Sequence, residues 1–175
     1  VVADPNQRLS SLSVVTADDR ANLAAQHDVI RPSNQFTEFP HAAIERSIPA
    51  RLEEQVKLHP SRLAVKTRTH EWTFDQLNKA ANRVARVVLP LCANGEERVA
   101  LLLDHNAPMV AGMLGVLKAG MAYVPLDPTY PQDRLGYMLE DAQARVLLTD
   151  RANASLAESL ARGKLPIVNI DEMPD

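Results

Sequence analysis

LKAGMAYVPLDPTYPQDRLGYML, residues Leu117–Leu139, holds the end of one helix, a strand, a turn and the start of the next helix. Gly120 supplies the left-handed residue that stops a helix, and Lys118 in the last turn suits the negative end of its dipole. Ala122 to Leu126 then reads as a strand. Asp127, Pro128 and Thr129 form a turn, and Pro131 suits the first position of a second helix, with Leu135, Met138, Leu139 and Ala142 on its buried face.

The alternation continues in both directions. Upstream, Val99 to Leu103 is a continuous apolar run, as expected of a strand buried on both faces of a parallel sheet. Asn106 is placed to cap a helix running to Ala119, with Pro108 tolerated in its first turn. Gly112 and Gly115 each cost roughly 1 kcal/mol in a helix interior, so both are expected where another backbone comes close. Before that strand, Leu77, Ala80, Ala81, Val84, Val87, Val88 and Leu91 share one helical face. A capping box of Thr73 and Gln76 and a hydrophobic staple of Trp72 and Leu77 open it. Ile48 to Leu58 predicts a short helix stopped by Pro60, and Leu63 to Lys66 and Glu71 to Phe74 two short strands about a turn. Downstream, Val146 to Thr149 predicts a strand, Ala152 to Arg162 a helix ended by Gly163, and Leu165 to Ile170 a last strand. The fold class is therefore α/β, a three-layer partly parallel sheet with flanking helices.

The first 46 residues read as an interdomain arm with one short helix, and residues 47–175 as the folded part. Leu9 to Asp28 holds that helix, with Thr16 as N-cap and Asp19 three positions on. Arg31 to Ala42, RPSNQFTEFPHA, reads as an extended linker with Phe36 and Phe39 as anchors.

Composition narrows the function. Of 175 residues, 46% are hydrophobic and 23% charged, the balance of a folded domain. A net charge of -3, with Lys and Arg scattered, gives no reason to expect nucleic acid. Cys92 is the single cysteine, which excludes an internal disulfide and suits a reducing cytoplasm. No apolar run approaches membrane-spanning length, and VVADPNQRLSS lacks the pattern of a secretion signal, so Asn153-Ala154-Ser155 reads as a chance sequon.

Candidate groups for chemistry each have a structural explanation. No G-x-x-x-x-G-K-[ST] or G-x-G-x-x-G loop occurs, and Lys118 lies at the end of a helix rather than at its phosphate-binding start. Asp104, His105 and Asn106 follow a buried strand, where such folds place catalytic groups, but a cap and two solvated residues are the favoured explanation, since one polar triplet without a second cluster identifies no reaction. His27, His41, His59 and His70 have no metal-ligand spacing. Cys92 has no basic neighbour in sequence to activate it. Asp127 and Asp133 are accounted for by turn and dipole, and Tyr123, Tyr130 and Tyr137 by packing. By this reading no catalytic, cofactor-binding or metal-binding residue is assigned.

Leu117–Leu139 closely resembles the second core motif of the adenylation domains of nonribosomal peptide synthetases. Trp72-Thr73-Phe74-Asp75-Gln76-Leu77-Asn78 with Ala81-Asn82-Arg83 is similar to the first core motif, Phe74 standing where Tyr is commoner. Asp141-Ala142 and Val146-Leu147-Leu148-Thr149-Asp150 resemble the strand that follows. Leu12, Thr16 to Arg20 and His27-Asp28 resemble the linker from a condensation domain, and Pro49 to Val65 the start of the adenylation fold.

The resemblance implies an incomplete N-terminal subdomain of the adenylate-forming fold. It implies that the parent enzyme activates an amino acid with ATP and Mg2+ as an acyl-adenylate, then loads it on the phosphopantetheine thiol of a carrier domain. The partners implied are the remainder of the adenylation domain, an upstream condensation domain and a downstream carrier domain, with neither nucleic acid nor membrane. The Gly/Ser/Thr-rich phosphate loop ending in lysine, the nucleotide motifs and the catalytic lysine do not occur in these residues, so the chain alone is expected not to catalyse adenylation. Two other readings are a non-catalytic docking or scaffold module and an unrelated small-molecule-binding α/β domain.

Overall fold

The computed structural model describes residues 16, 18, 19, 41, 44–92 and 97–174. The chain divides into two compact units, Val1–His41 and Ala42–Asp175. In the first, Thr16 and Asp19 cap each other as their spacing predicts. Thr16 N–H and Oγ1 donate to Asp19 Oδ2 at 3.0 and 2.6 Å, and Asp19 N–H donates to Thr16 Oγ1 at 3.1 Å. The rest of the Leu9–Asp28 helix, and Phe36 and Phe39, lie outside the described residues.

The second unit begins with α1 (Ile48–Leu58), capped by Ser47, whose hydroxyl accepts from Ala50 N–H. An antiparallel hairpin of β1 (Leu63–Lys66) and β2 (Glu71–Thr73) follows. Phe74 belongs to the next helix rather than to β2, because the capping box at Thr73 starts the helix there. That helix, α2 (Phe74–Val88), opens with Thr73 Oγ1 accepting Gln76 N–H at 3.3 Å and Gln76 Oε1 accepting Thr73 N–H at 2.9 Å. Its buried face is Leu77, Ala80, Ala81, Val84 and Val88. Leu91 departs from the expected stripe and is 43% exposed. Pro90 puts Leu89–Leu91 in a 3-10 turn, whose three-residue period carries Leu91 off the buried face.

Four parallel strands make the central sheet: β3 (Arg98–Leu102), β4 (Ala122–Leu126), β5 (Val146–Thr149) and β6 (Ile167–Asn169), in the order β4-β3-β5-β6. Helix α3 (Ala107–Lys118) joins β3 to β4, α4 (Gln132–Asp141) joins β4 to β5, and α5 (Ala154–Ala161) joins β5 to β6. Alternate residues point to opposite faces of a strand. Val99, Leu101 and Leu103 pack with Val84 and Val88 of α2 and Met109 and Val116 of α3. Ala100 and Leu102 pack with Leu135 and Leu139 of α4 and Ala157 and Leu160 of α5. Three layers result. The two crossovers that leave β3 and β4 run in opposite directions along the sheet with their helices on opposite faces, as crossovers of one hand require.

Helix α3 ends in a Schellman motif: Gly120 N–H donates to Leu117 O and Met121 N–H to Val116 O, with Gly120 at φ 77°. Gly115 meets the close backbone expected of it, since a Cβ there would clash with Val84 and lie 2.7 Å from Ala81 O of α2. Gly112 faces side chains instead, Leu148, Leu103 and Leu101 of the sheet. Pro131 is the N-cap of α4 rather than its first residue. Helix α5 starts at Ala154, two residues later than predicted, because Asp150 Oδ1 accepts both Asn153 N–H and Nδ2 and holds residues 151–153 in a turn. The last strand is shorter than Leu165 to Ile170. Asn169 Oδ1 accepts Asp171 N–H, capping a 3-10 turn over Ile170–Glu172.

Candidate functional site

Strand β3 pairs with β4 on one side and β5 on the other, so the connections after β3 and β5 leave the sheet in opposite senses. The crevice beyond their carboxyl ends is where open α/β sheets bind ligands. Asp104, His105 and Asn106 follow β3, Asp127 follows β4, and Asp150 follows β5.

Asp104 and His105 are exposed. Asn106 occupies the N-cap position of α3 yet makes no side-chain cap bond, and its buried Oδ1 has no hydrogen-bond partner among the described residues. The expected cap is thus present in position only: its backbone N–H turns back to Asp104 O at 2.7 Å. Asp127 Oδ1 accepts Thr129 N–H at 2.9 Å and Thr129 Oγ1 at 2.7 Å. The Thr129 backbone bond, then its hydroxyl, hold the Asp127 carboxyl below the usual aspartate value, and His105 adds in the same direction. His105 and Asp127 lie on different loops, after the neighbouring strands β3 and β4. Asp133 lies apart in role, exposed in the first turn of α4. Asp150 is buried and spent on Asn153, and Thr149 Oγ1 donates to Leu102 O at 3.1 Å.

The remaining candidates disperse. Tyr123 packs on the sheet, and Tyr130 lies 4.3 Å beneath the Arg134 guanidinium. Tyr137 corrects the packing expectation, being 69% exposed, because it falls outside the stripe set by Leu135 and Leu139. His41 is exposed, and His59 ends α1. His70 meets Trp72 edge-on at 5.5 Å. His27 lies outside the described residues. Burial pushes the Cys92 thiol up, and the Glu97 carboxylate beside it pushes in the same direction, the opposite of activation. Among the described residues no three of His, Cys, Asp and Glu converge as metal ligands.

Lys118 is in the last turn of α3 as expected, but its ammonium also pairs with Glu53 Oε1 of α1 at 2.6 Å. This pair closes one end of a groove of about 940 Å³ along α1 and α2, lined by Pro49, Trp72, Lys79, Ala80, Arg83 and Arg86 among others. The groove lies on the outer helical layer, not at the strand ends. Sequence reading treated its cations as scattered; the spacing of Lys79, Arg83 and Arg86 within α2 was the signal that places them on one stripe.

The parallel sheet, with crossover helices on both faces, places the chain in the doubly wound α/β class. Residues 52–174 match the AMP-binding enzyme family, and the chain belongs to it. It is similar to nonribosomal peptide synthetases: 38% identical to surfactin synthase subunit 1 of Bacillus subtilis over 85% of this chain, and 34% to gramicidin S synthase 2 of Brevibacillus brevis over 89%. It spans only 4% and 3% of the length of those relatives. Among solved structures it resembles an anthranilate CoA ligase in complex with anthranoyl-AMP (TM-score 0.62, 28% identity, 72% of this chain and 27% of that one). An O-succinylbenzoate coenzyme A synthetase from Bacillus subtilis in complex with AMP is similar too (TM-score 0.60, 25% identity, 69% and 31%). The fold is thus the partial α/β layer of an adenylate-forming enzyme. Among the described residues no helix is long and apolar enough to cross a membrane.

Proposed function

We propose that these residues belong to an amino-acid-activating adenylation domain of a nonribosomal peptide synthetase. The intact enzyme joins an amino acid to AMP, releases pyrophosphate, and passes the acyl group to a phosphopantetheine thiol on a carrier domain, with a condensation domain upstream and a cytoplasmic location. The observation that carries this reading is the likeness to peptide synthetases over 85–89% of the chain. Leu117–Leu139, the stretch that resembles a core motif of those enzymes, forms the end of α3, β4, the Asp127 turn and most of α4. None of the comparisons favours an unrelated small-molecule-binding domain.

The described residues do not themselves offer a triphosphate the groups that would hold it. A triphosphate calls for cations or converging backbone N–H groups, whereas the loops at this crevice present Asp104 and Asp127. Asp127 is held ionised by Thr129, and a like charge placed beside it would be repelled. Nucleotide binding and catalysis accordingly fall to other residues of the synthetase. The part assigned to this chain is structural: a packed sheet-and-helix layer against which a catalytic centre is held. Amino-acid-dependent ATP–pyrophosphate exchange by the product of the intact reading frame tests the activity; its absence with all twenty amino acids would count against the reading.

A further inference from the structure

The groove along α1 and α2 lies apart from the strand-end crevice and carries an arrangement of its own. Lys79, Arg83 and Arg86 follow one another at spacings of four and three, so they line one stripe of α2, beside the face that Leu77, Ala80, Val84 and Val88 bury. Among the described residues Lys79 is paired only with Asp75 on its own helix, at 2.8 Å, and is 72% exposed. Arg86 is exposed and has no hydrogen bond or ion pair among the described residues. At the α1 side Lys118, 7% exposed, is folded onto Glu53. Between these charges lie Pro49, Trp72, Ala80 and Ala85. The volume of about 940 Å³ is at the upper end of the range for ligand sites.

We propose that this groove docks an extended acidic peptide segment bearing an aromatic side chain. The cations extend over about 10 Å of helix, at a rise of about 1.5 Å per residue. A single small anion reaches only one of them, whereas about three residues of extended chain, at about 3.3 Å each, cover the row. Aspartate or glutamate side chains meet Lys79 and Arg86, and an aromatic ring settles on the floor against Trp72. The groove is more cationic than the chain as a whole, whose net charge is -3, so selectivity for an acidic partner comes from this local field.

Trp72 is the single tryptophan of the chain, so its fluorescence reports the groove directly. The 175-residue chain is titrated with the peptide EFDEF, its charge-reversed counterpart KFKKF, inorganic phosphate and a single-stranded oligothymidylate. A saturable change with EFDEF is expected, weakened at least tenfold in a variant combining Lys79→Glu and Arg86→Glu, with the preference turned towards KFKKF. Circular dichroism checks that this variant folds. Should it not, Arg86→Gln alone is expected to weaken EFDEF about threefold, and retention of full affinity by that variant would refute the proposal. No response to EFDEF up to millimolar peptide, equal binding of KFKKF by the unaltered chain, or equal competition by phosphate or the oligonucleotide would also overturn it.

Discussion

Gly115 marks the closest approach of two helices in the fold. Because a Cβ there would press on Val84 and the Ala81 carbonyl of α2, substitution forces α2 and α3 apart. Gly115→Ala is expected to destabilise the chain by about 2 kcal/mol despite the better helix propensity of alanine, measured by urea denaturation. At the neighbouring helix end, Lys118 lowers the Glu53 carboxyl below its ordinary value through a hydrogen bond and then through its charge. A depressed folded value means stability that is present above the ordinary glutamate range and is lost as pH falls through the folded value. Glu53 is about half exposed, so the contribution is screened to no more than about 1 kcal/mol. Glu53→Gln is expected to remove that part of the acid-side pH dependence, read as a flatter stability profile below neutrality.

Local chemistry sets where each element starts and stops. Thr73 both caps α2 and ends β2, so Thr73→Ala is expected to cost about 1 kcal/mol and to fray the first turn, seen as lost helical ellipticity and a lower Tm. Such short-range devices are why much of the fold was legible in the sequence: Thr73 with Gln76, Thr16 with Asp19, and Gly120 act within a few residues. The misreadings arose where a side chain or a proline overrode periodicity. Asp150 holds Asn153 in a turn and delays α5; Pro90 tightens the chain and exposes Leu91. Asn106 has the right residue type for a cap, but its own backbone bond to Asp104 replaces the cap geometry. Partners distant in sequence were not legible at all. Lys118 finds Glu53 across 65 positions, and the His105 and Asp127 loops lie at the same end of the sheet only because β3 and β4 are neighbours. The groove was half legible, its cations as a spacing within α2 and its second wall only from the packing of α1.

Across the molecule, burial is concentrated in the two inner strands. All of Val146, Leu147, Leu148 and Thr149 are buried in β5, while β4 carries exposed Ala122 and Pro125 at the sheet edge. A proline is tolerated there because an edge strand leaves one row of backbone groups outside the ladder. Amide exchange is therefore expected to be slowest in β3 and β5 and faster by at least tenfold in β4 and β6, measured by hydrogen–deuterium exchange. The same distribution fits the structural part proposed for this chain. Amino-acid-dependent ATP–pyrophosphate exchange, run in parallel on the 175-residue chain and on the product of the intact reading frame, tests this most directly. Exchange by the intact product and none by the chain is the predicted result; exchange by the chain alone would contradict it.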